Sequence, residues 1–192
     1  MVDSGAVHQE GGNITLIKHR AASLVAAFLL VLATASTAAA APNHRQVTLL
    51  DNCDQASFDA ALGPGACSRP GGGTTVDRLI EQLLTKGTAP SWRFSPSYVV
   101  LADGGTVTAV NRGGEGHTFT EVAEFGGGCV DELNQLLGLT PVDECTNPGA
   151  GVLFGTTLVL PGGSLTTGPL DSGTHRFMCI IHPWQRSTVA VD

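Results

Sequence analysis

The sequence predicts an all-β domain over residues 41–192, an antiparallel sandwich or barrel with one or two short helical insertions. Short runs of strand-forming residues recur along the chain, and Gly/Pro turns separate most of them. Helical periodicity is confined to one or two segments. At 192 residues the chain has the length of one ordinary domain preceded by a leader.

The first forty residues have the features of an export signal. Lys18 and Arg20 precede an apolar run from Ala21 to Ala33, and Ala38–Ala40 matches the A-x-A cleavage pattern. We therefore expect a signal peptide at 1–40 and a secreted or periplasmic, extracytoplasmic domain at 41–192 without a membrane span. The alternative is an uncleaved anchor, although the run is shorter than the roughly 20 apolar residues of a membrane helix.

The net charge of the protein indicates which classes of macromolecule it can bind. The formal net charge is −7, and the leader contributes nothing to it because Asp3 and Glu10 balance Lys18 and Arg20. An acidic surface without a stripe of Lys and Arg repels phosphate backbones, so we expect no nucleic-acid partner. A basic protein partner is attracted instead.

The first half of the domain combines strands with one helix. Gln46–Leu50 is a strand, and a disulfide-stapled loop from Cys53 to Cys67 follows it. Apolar residues from Val76 to Leu84 recur at helical spacing, with Thr75 as N-cap and Gly87 at the end.

The second half is dominated by strands. Tyr98–Leu101 and the alternating segment Thr106–Asn111 flank the turn Asp103–Gly105, which predicts a hairpin. A Gly-rich insertion at 124–151 contains helical turns at Asp131–Leu137. The other predicted strands are His117–Val122, Val152–Leu160, Ser164–Thr167, His175–Ile180 and Ser187–Val191.

The five cysteines leave one thiol over. Cys53 with Cys67, and Cys129 with Cys145, are close in sequence within Gly/Pro-rich loops and are expected to pair in an oxidising compartment. Cys179 is then unpaired. A free thiol there is lost to exchange or oxidation unless it is buried or bound to a metal.

A metal site is predicted around Cys179 and His182. A thiolate and an imidazole three residues apart, on a tight loop after a strand, can bind one copper or zinc ion. In the alternative, Cys179 pairs with another cysteine and His182 lies on the surface. The second histidine is His117, because His44 lies in the leading segment and His175 lies about 13 Å along the strand from Cys179, at ~3.3 Å per residue.

With these residues in view, the sequence resembles the cupredoxin family of small blue copper proteins. The resemblance covers about Trp92 to Asp192, and its ligand loop is most similar to that of amicyanin. It rests on two motifs, Phe94-x-Pro96 through Val107-x-Ala109-x-Asn111 to His117, and Cys179-x-x-His182-Pro183-Trp184-x-Arg186.

The resemblance implies a Greek-key sandwich with one type 1 copper ion bound by His117 Nδ1, Cys179 Sγ and His182 Nδ1. Gln185 stands where amicyanin-like loops have the axial Met, and its harder oxygen favours Cu(II), which predicts a lower reduction potential. Alternatively, Gln185 points to solvent and the axial position is empty or taken by a backbone carbonyl.

Thr118 replaces an Asn of many relatives, which puts the usual link between the ligand loops in doubt.

The function that the resemblance implies is one-electron transfer by a monomer with transient redox partner proteins, and no catalysis. Pro183 and Trp184 suggest an apolar docking patch beside an exposed edge of His182, unless Trp184 simply covers the end of the sandwich. The alternative is a copper-handling protein, for which Met- or His-rich runs would be typical. A multicopper oxidase or a copper nitrite reductase would need several further histidines, which argues against these enzymes. A metal-free adhesive sandwich would not need the three ligand residues, so their presence argues against this class.

Overall fold

The computed structural model describes residues 40–192, so the expected signal peptide lies outside the described residues except for Ala40. The strands are β1 (His44–Leu50), β2 (Arg93–Ser95), β3 (Tyr98–Leu101), β4 (Thr106–Asn111), β5 (His117–Thr118), β6 (Thr120–Val122), β7 (Leu158–Val159), β8 (Ser164–Thr166), β9 (Gly173–Met178) and β10 (Arg186–Val191). The helices are α1 (Gln55–Leu62), α2 (Val76–Lys86), α3 (Asp131–Leu137) and α4 (Ala150–Thr157), with a 3-10 turn at Asp143–Cys145.

The strands form two four-stranded sheets and one two-stranded ribbon. The sheet orders are β2-β1-β4-β8 and β3-β10-β9-β6, and β5 pairs with β7 in the ribbon. β1 runs parallel to β4, and β3 runs parallel to β10. The predicted antiparallel arrangement is therefore wrong at these two pairs, because residue alternation specifies a half-buried strand but not the direction of its neighbour.

The two sheets share one apolar core. Val47 and Leu49 of β1 lie in the same buried cluster as Val189 and Val191 of β10 in the other sheet. The Phe119 and Phe177 rings stack across this core, with 4.3 Å between their centroids. Burial of each large apolar side chain contributes about 1.5–3 kcal/mol to the free energy of folding. The packed core therefore holds in place the strand ends that carry the site.

The predicted hairpin around residues 103–105 is wrong. β3 and β4 belong to different sheets, and the turn between them carries the chain from one sheet to the other. Gly104 has a φ of 73°, a conformation that favours glycine. The turn was therefore predicted correctly from its residues, whereas the pairing depends on which sheet each strand joins.

Helices are more numerous than the one or two expected. α2 and α3 are present as predicted; in α2 the Thr75 hydroxyl accepts a hydrogen bond from Arg78 N–H. α1 lies in the segment predicted as a loop, and it begins at the Asp54 cap, whose carboxylate accepts from Ser57 N–H.

α4 replaces most of the strand predicted at 152–160. It lacks a side-chain cap and has an apolar sequence, so the periodicity does not distinguish it from a buried strand.

Both predicted disulfides are present, Cys53–Cys67 and Cys129–Cys145, and Cys179 is free and buried. The first disulfide lies in a second apolar cluster with Phe58 of α1 and Trp92. This cluster joins α1 and α2 to the end of the sandwich that carries the site. Within residues 40–192, no helix is both long and apolar enough to cross a bilayer.

Candidate metal centre

The three predicted principal ligands come from strand ends and one tight loop. His117 begins β5, and Cys179 directly follows β9. The loop that carries His182 is closed by two backbone hydrogen bonds, from Cys179 N–H to the Gln185 carbonyl at 3.0 Å and from Gln185 N–H to the His182 carbonyl at 2.8 Å. The chain enters β10 directly after this loop.

The structure brings these three side chains together. One ligand atom each from His117, Cys179 and His182 lies within 4.8 Å of the others. Cys179 Sγ is 3.7 Å from His182 Nδ1 and 4.0 Å from His117 Nδ1. All three residues are buried, with exposed fractions of 0 %, 0 % and 4 % for His117, Cys179 and His182. One sulfur and two imidazole nitrogens therefore face a common point shielded from solvent.

Gln185 is also buried, so it does not point to solvent. Its Nε2 donates to the Leu50 carbonyl at 2.9 Å, whereas its Oε1 has no hydrogen-bond partner among the described residues. Leaving a buried acceptor unpaired costs about 1–3 kcal/mol, and such groups usually have a partner in native structures. A buried oxygen without a partner, three residues after His182, makes Gln185 the candidate for an axial ligand.

Asp51, which the sequence analysis missed, anchors the His117 ring. Its Oδ2 is 2.8 Å from His117 Nε2 and also accepts from Glu115 N–H at 3.0 Å. Its Oδ1 accepts from Cys53 N–H at 3.1 Å and from Gly114 N–H at 3.0 Å. Burial alone raises the pKa of Asp51, but the hydrogen bonds from His117 and the three backbone N–H groups outweigh it and lower the pKa to about 2.

The charges of His117 and Cys179 depend on each other. Burial lowers the pKa of His117, but its hydrogen bonds with Asp51 and Cys179 raise the pKa to about 9. Burial raises the pKa of Cys179, and the two imidazoles overcome this effect and hold the pKa well below its ordinary value. In the metal-free site these opposite shifts favour the pairing of a thiolate at Cys179 with an imidazolium at His117. Metal binding would release the His117 Nδ1 proton, because a ligating imidazole nitrogen must be deprotonated.

A second buried carboxylate, Glu115, lies beside the other imidazole. Its Oε2 accepts from Trp92 Nε1 at 2.5 Å, and its Oε1 is 3.8 Å from His182 Nε2. Burial raises the pKa of Glu115, and the lowering influence of His182 and of the Trp92 hydrogen bond does not compensate. The sequence analysis did not single out Glu115 as part of the site.

Thr118 links the two ligand segments in the position where the sequence analysis put such a link in doubt. Its Oγ1 accepts from Ile180 N–H at 2.9 Å, and its own N–H points at Cys179 Sγ at 3.4 Å. The Thr120 hydroxyl donates to Thr118 Oγ1 at 3.1 Å and so orients it. A hydroxyl at this position therefore ties the segment after His117 to the segment after Cys179.

The surroundings of His182 differ from the expected open patch. The Trp184 ring lies edge-on to His182 at 5.4 Å and packs against the cluster around α2 and α3. His182 is only 4 % exposed.

His175 lies apart from the site, where it contacts Glu121 Oε1 at 2.6 Å and the Asp171 carbonyl at 2.8 Å.

Comparisons with solved structures give similarities at low identity. A purple cupredoxin from Nitrosopumilus maritimus is 14% identical over 77% of this chain and 98% of its own, with a TM-score of 0.38. A variant of amicyanin in its Cu(I) form is 19% identical over 52% of this chain and 73% of its own, with a TM-score of 0.33. A second amicyanin variant, in its reduced Cu(I) form at pH 4, is 20% identical over 55% and 77%, with a TM-score of 0.34.

No protein-family model matches the sequence, and the search of curated proteins found no match either. Because the TM-scores of these three structures lie below 0.5, the conclusion on function rests on the geometry of the site.

Proposed function

We propose that this chain is an exported cupredoxin that binds one copper ion and carries single electrons between transient redox partner proteins. His117, Cys179 and His182 are the principal ligands, and Gln185 Oε1 is the axial ligand. The observation that carries the proposal is the convergence of one buried thiolate and two buried imidazoles within 4.8 Å. The Greek-key topology implied by the motif resemblance is part of the same proposal.

The donor set fits copper. A thiolate and two imidazoles in one plane with a weak fourth ligand is the arrangement that suits a blue copper site, whereas Mg²⁺ and Ca²⁺ prefer oxygen ligands. The unpartnered oxygen of Gln185 supports the fourth position. Copper in this site would supply a one-electron couple between Cu(I) and Cu(II). The lowered pKa of Cys179 favours the thiolate form of its sulfur, which is the form that binds metals.

The same contacts favour electron transfer over catalysis. Asp51 fixes the His117 ring through the 2.8 Å contact, and Thr118 ties the two ligand segments together. Ligands held in this way need little rearrangement when the charge of the ion changes. Their burial also leaves them poorly accessible to a substrate.

A Cu(II) titration of the purified protein tests the metal and its sulfur ligand. We expect an intense visible thiolate-to-copper band that saturates at one ion per chain and is lost in Cys179→Ala. His175→Ala is the matched control and keeps the band, because His175 lies outside the site. A colourless mixture with one titratable thiol would contradict the proposal. Tight Cu(I) binding without that band would indicate the copper-handling alternative.

Gln185→Met tests the axial ligand separately. A thioether is softer than an amide oxygen and stabilises Cu(I), so we expect voltammetry to show a higher reduction potential in the variant. Gln46→Met is the matched control, because Gln46 is exposed on β1. Equal potentials in both variants and the wild type would exclude Gln185 as a ligand.

A further inference from the structure

We propose that Asp51 is a positioning residue: it keeps a proton on His117 Nε2, directs Nδ1 toward Cys179, and favours the oxidised state of the site. The inference rests on the proposed copper site for its last part alone. Its first part, the orientation of the ring, concerns the metal-free protein as well.

The orientation follows from the chemistry of the two groups. An ionised carboxylate can only accept hydrogen bonds, so the ring nitrogen 2.8 Å from Asp51 Oδ2 must be the donor. Both side chains are completely buried, so bulk solvent does not reach this contact. With the proton on Nε2, the ring presents Nδ1 to Cys179 Sγ at 4.0 Å. A flipped ring would direct the wrong nitrogen at the ligand sulfur.

The position of the carboxylate is itself fixed by a backbone cradle. Three N–H groups, from Cys53, Gly114 and Glu115, donate to its two oxygens. A Cβ added at Gly113 would lie 1.9 Å from Asp51 Oδ2, so a side chain there would displace the carboxylate. The turn before His117 thus supplies two of the three N–H donors to Asp51, and Gly113 leaves room for the carboxylate.

A fixed negative charge next to a ligand imidazole makes that imidazole more electron-rich. Outer partners of this kind typically change metal affinity by 10–100-fold. The higher charge of Cu(II) gains more from the nearby carboxylate than that of Cu(I), so the contact lowers the reduction potential. Within residues 40–192, the other ligand ring has no carboxylate this close, because Glu115 Oε1 is 3.8 Å from His182 Nε2.

Nitrogen-15 NMR of the metal-free protein tests the orientation. We expect a low-field His117 Nε2–H resonance that exchanges slowly with solvent in the wild type. It should be lost or should exchange rapidly in Asp51→Asn. Glu115→Gln is the matched control: it also removes a buried carboxylate but leaves the Asp51–His117 contact intact, so the resonance should persist.

Gly113→Ala provides a second route should Asp51→Asn fail to fold. It retains the charge but pushes the carboxylate away from the ring, and we expect the same loss of the Nε2–H resonance. A resonance that stays protected in Gly113→Ala and in a folded Asp51→Asn protein would overturn the orienting role.

The copper-loaded protein tests the last part of the inference. We expect Asp51→Asn to weaken Cu(II) binding about 10–100-fold and Cu(I) binding less. Each tenfold difference between the two oxidation states raises the reduction potential by about 59 mV. An unchanged potential would overturn the electrostatic role. An NMR result as expected, together with absence of the thiolate-to-copper band, would contradict the proposed function and leave the orienting role supported.

Discussion

Asp51 and Glu115 are both buried carboxylates beside a ligand imidazole, yet their pKa values move in opposite directions. Asp51 accepts hydrogen bonds from three backbone N–H groups and from His117, and its pKa falls to about 2. Among the described residues the Glu115 carboxylate has one close donor, Trp92 Nε1, and burial raises its pKa. The number of donors aimed at a buried carboxylate, and not burial alone, therefore decides the direction in which its pKa moves.

The two ligand imidazoles, His117 and His182, lie at two ends of the site that have different surroundings. At the His117 end, the ring is hydrogen-bonded to a fixed anion within a cradle of backbone groups. At the His182 end, the ring has Trp184 edge-on to it and a carboxylate at 3.8 Å. We therefore expect substitutions at the two ends to differ in sign as well as in size.

The largest expected effect is on the acid stability of the metal-free protein. The folded-state pKa of Asp51, about 2, is below its ordinary value of 3.8. Its stabilisation is therefore present above about pH 4 and is lost as the pH falls toward 2, which amounts to about 2 kcal/mol. Urea unfolding at a series of pH values should show this loss in the wild type and a flatter profile in Asp51→Asn.

The matched control for this profile is Asp77→Asn, at an exposed position of α2. It should keep the acid-dependent loss because Asp51 is still present. Wild type and Asp51→Asn proteins with the same slope between pH 4 and pH 2 would contradict the assigned charge of Asp51.

A smaller effect of the other sign is expected for Glu115→Gln. Since burial raises the pKa of Glu115, its ionisation opposes folding, and this cost appears as the pH rises above the ordinary pKa of 4.5. The amide removes that charge and keeps an oxygen that can accept from Trp92. We expect the free energy of unfolding of the metal-free protein at pH 7 to be unchanged or higher by up to about 1 kcal/mol. A loss comparable to that of Asp51→Asn would make the two carboxylates equivalent and remove the contrast.

Cys179 and His182 were accessible from sequence because a local pattern carries them, whereas His117 followed from excluding the other histidines. The spacing of Cys179 and His182, and the pairing of the other four cysteines, depend on residues close together in the chain. The strand from Tyr98 to Leu101 and the helix cap at Thr75 are local for the same reason. Their physical causes, alternation and capping, act within a few residues.

The rest of the site depends on contacts between distant segments. Asp51 is separated from His117 by 66 positions, and in the sequence it is one acidic residue among 17. The partners of β3 and β4 likewise depend on how the two sheets pack. α4 was read as a strand because an apolar run without a cap suits either structure. A long-range contact leaves no periodic trace in the sequence, so these features appear only in the folded chain.

The most direct measurement of the central claim is X-ray absorption at the copper K edge of the protein loaded with one equivalent of Cu(II). We predict a first coordination shell with one sulfur, from Cys179, and two imidazole nitrogens, from His117 and His182, with any oxygen contribution weaker. A first shell of nitrogen and oxygen atoms without sulfur would contradict it.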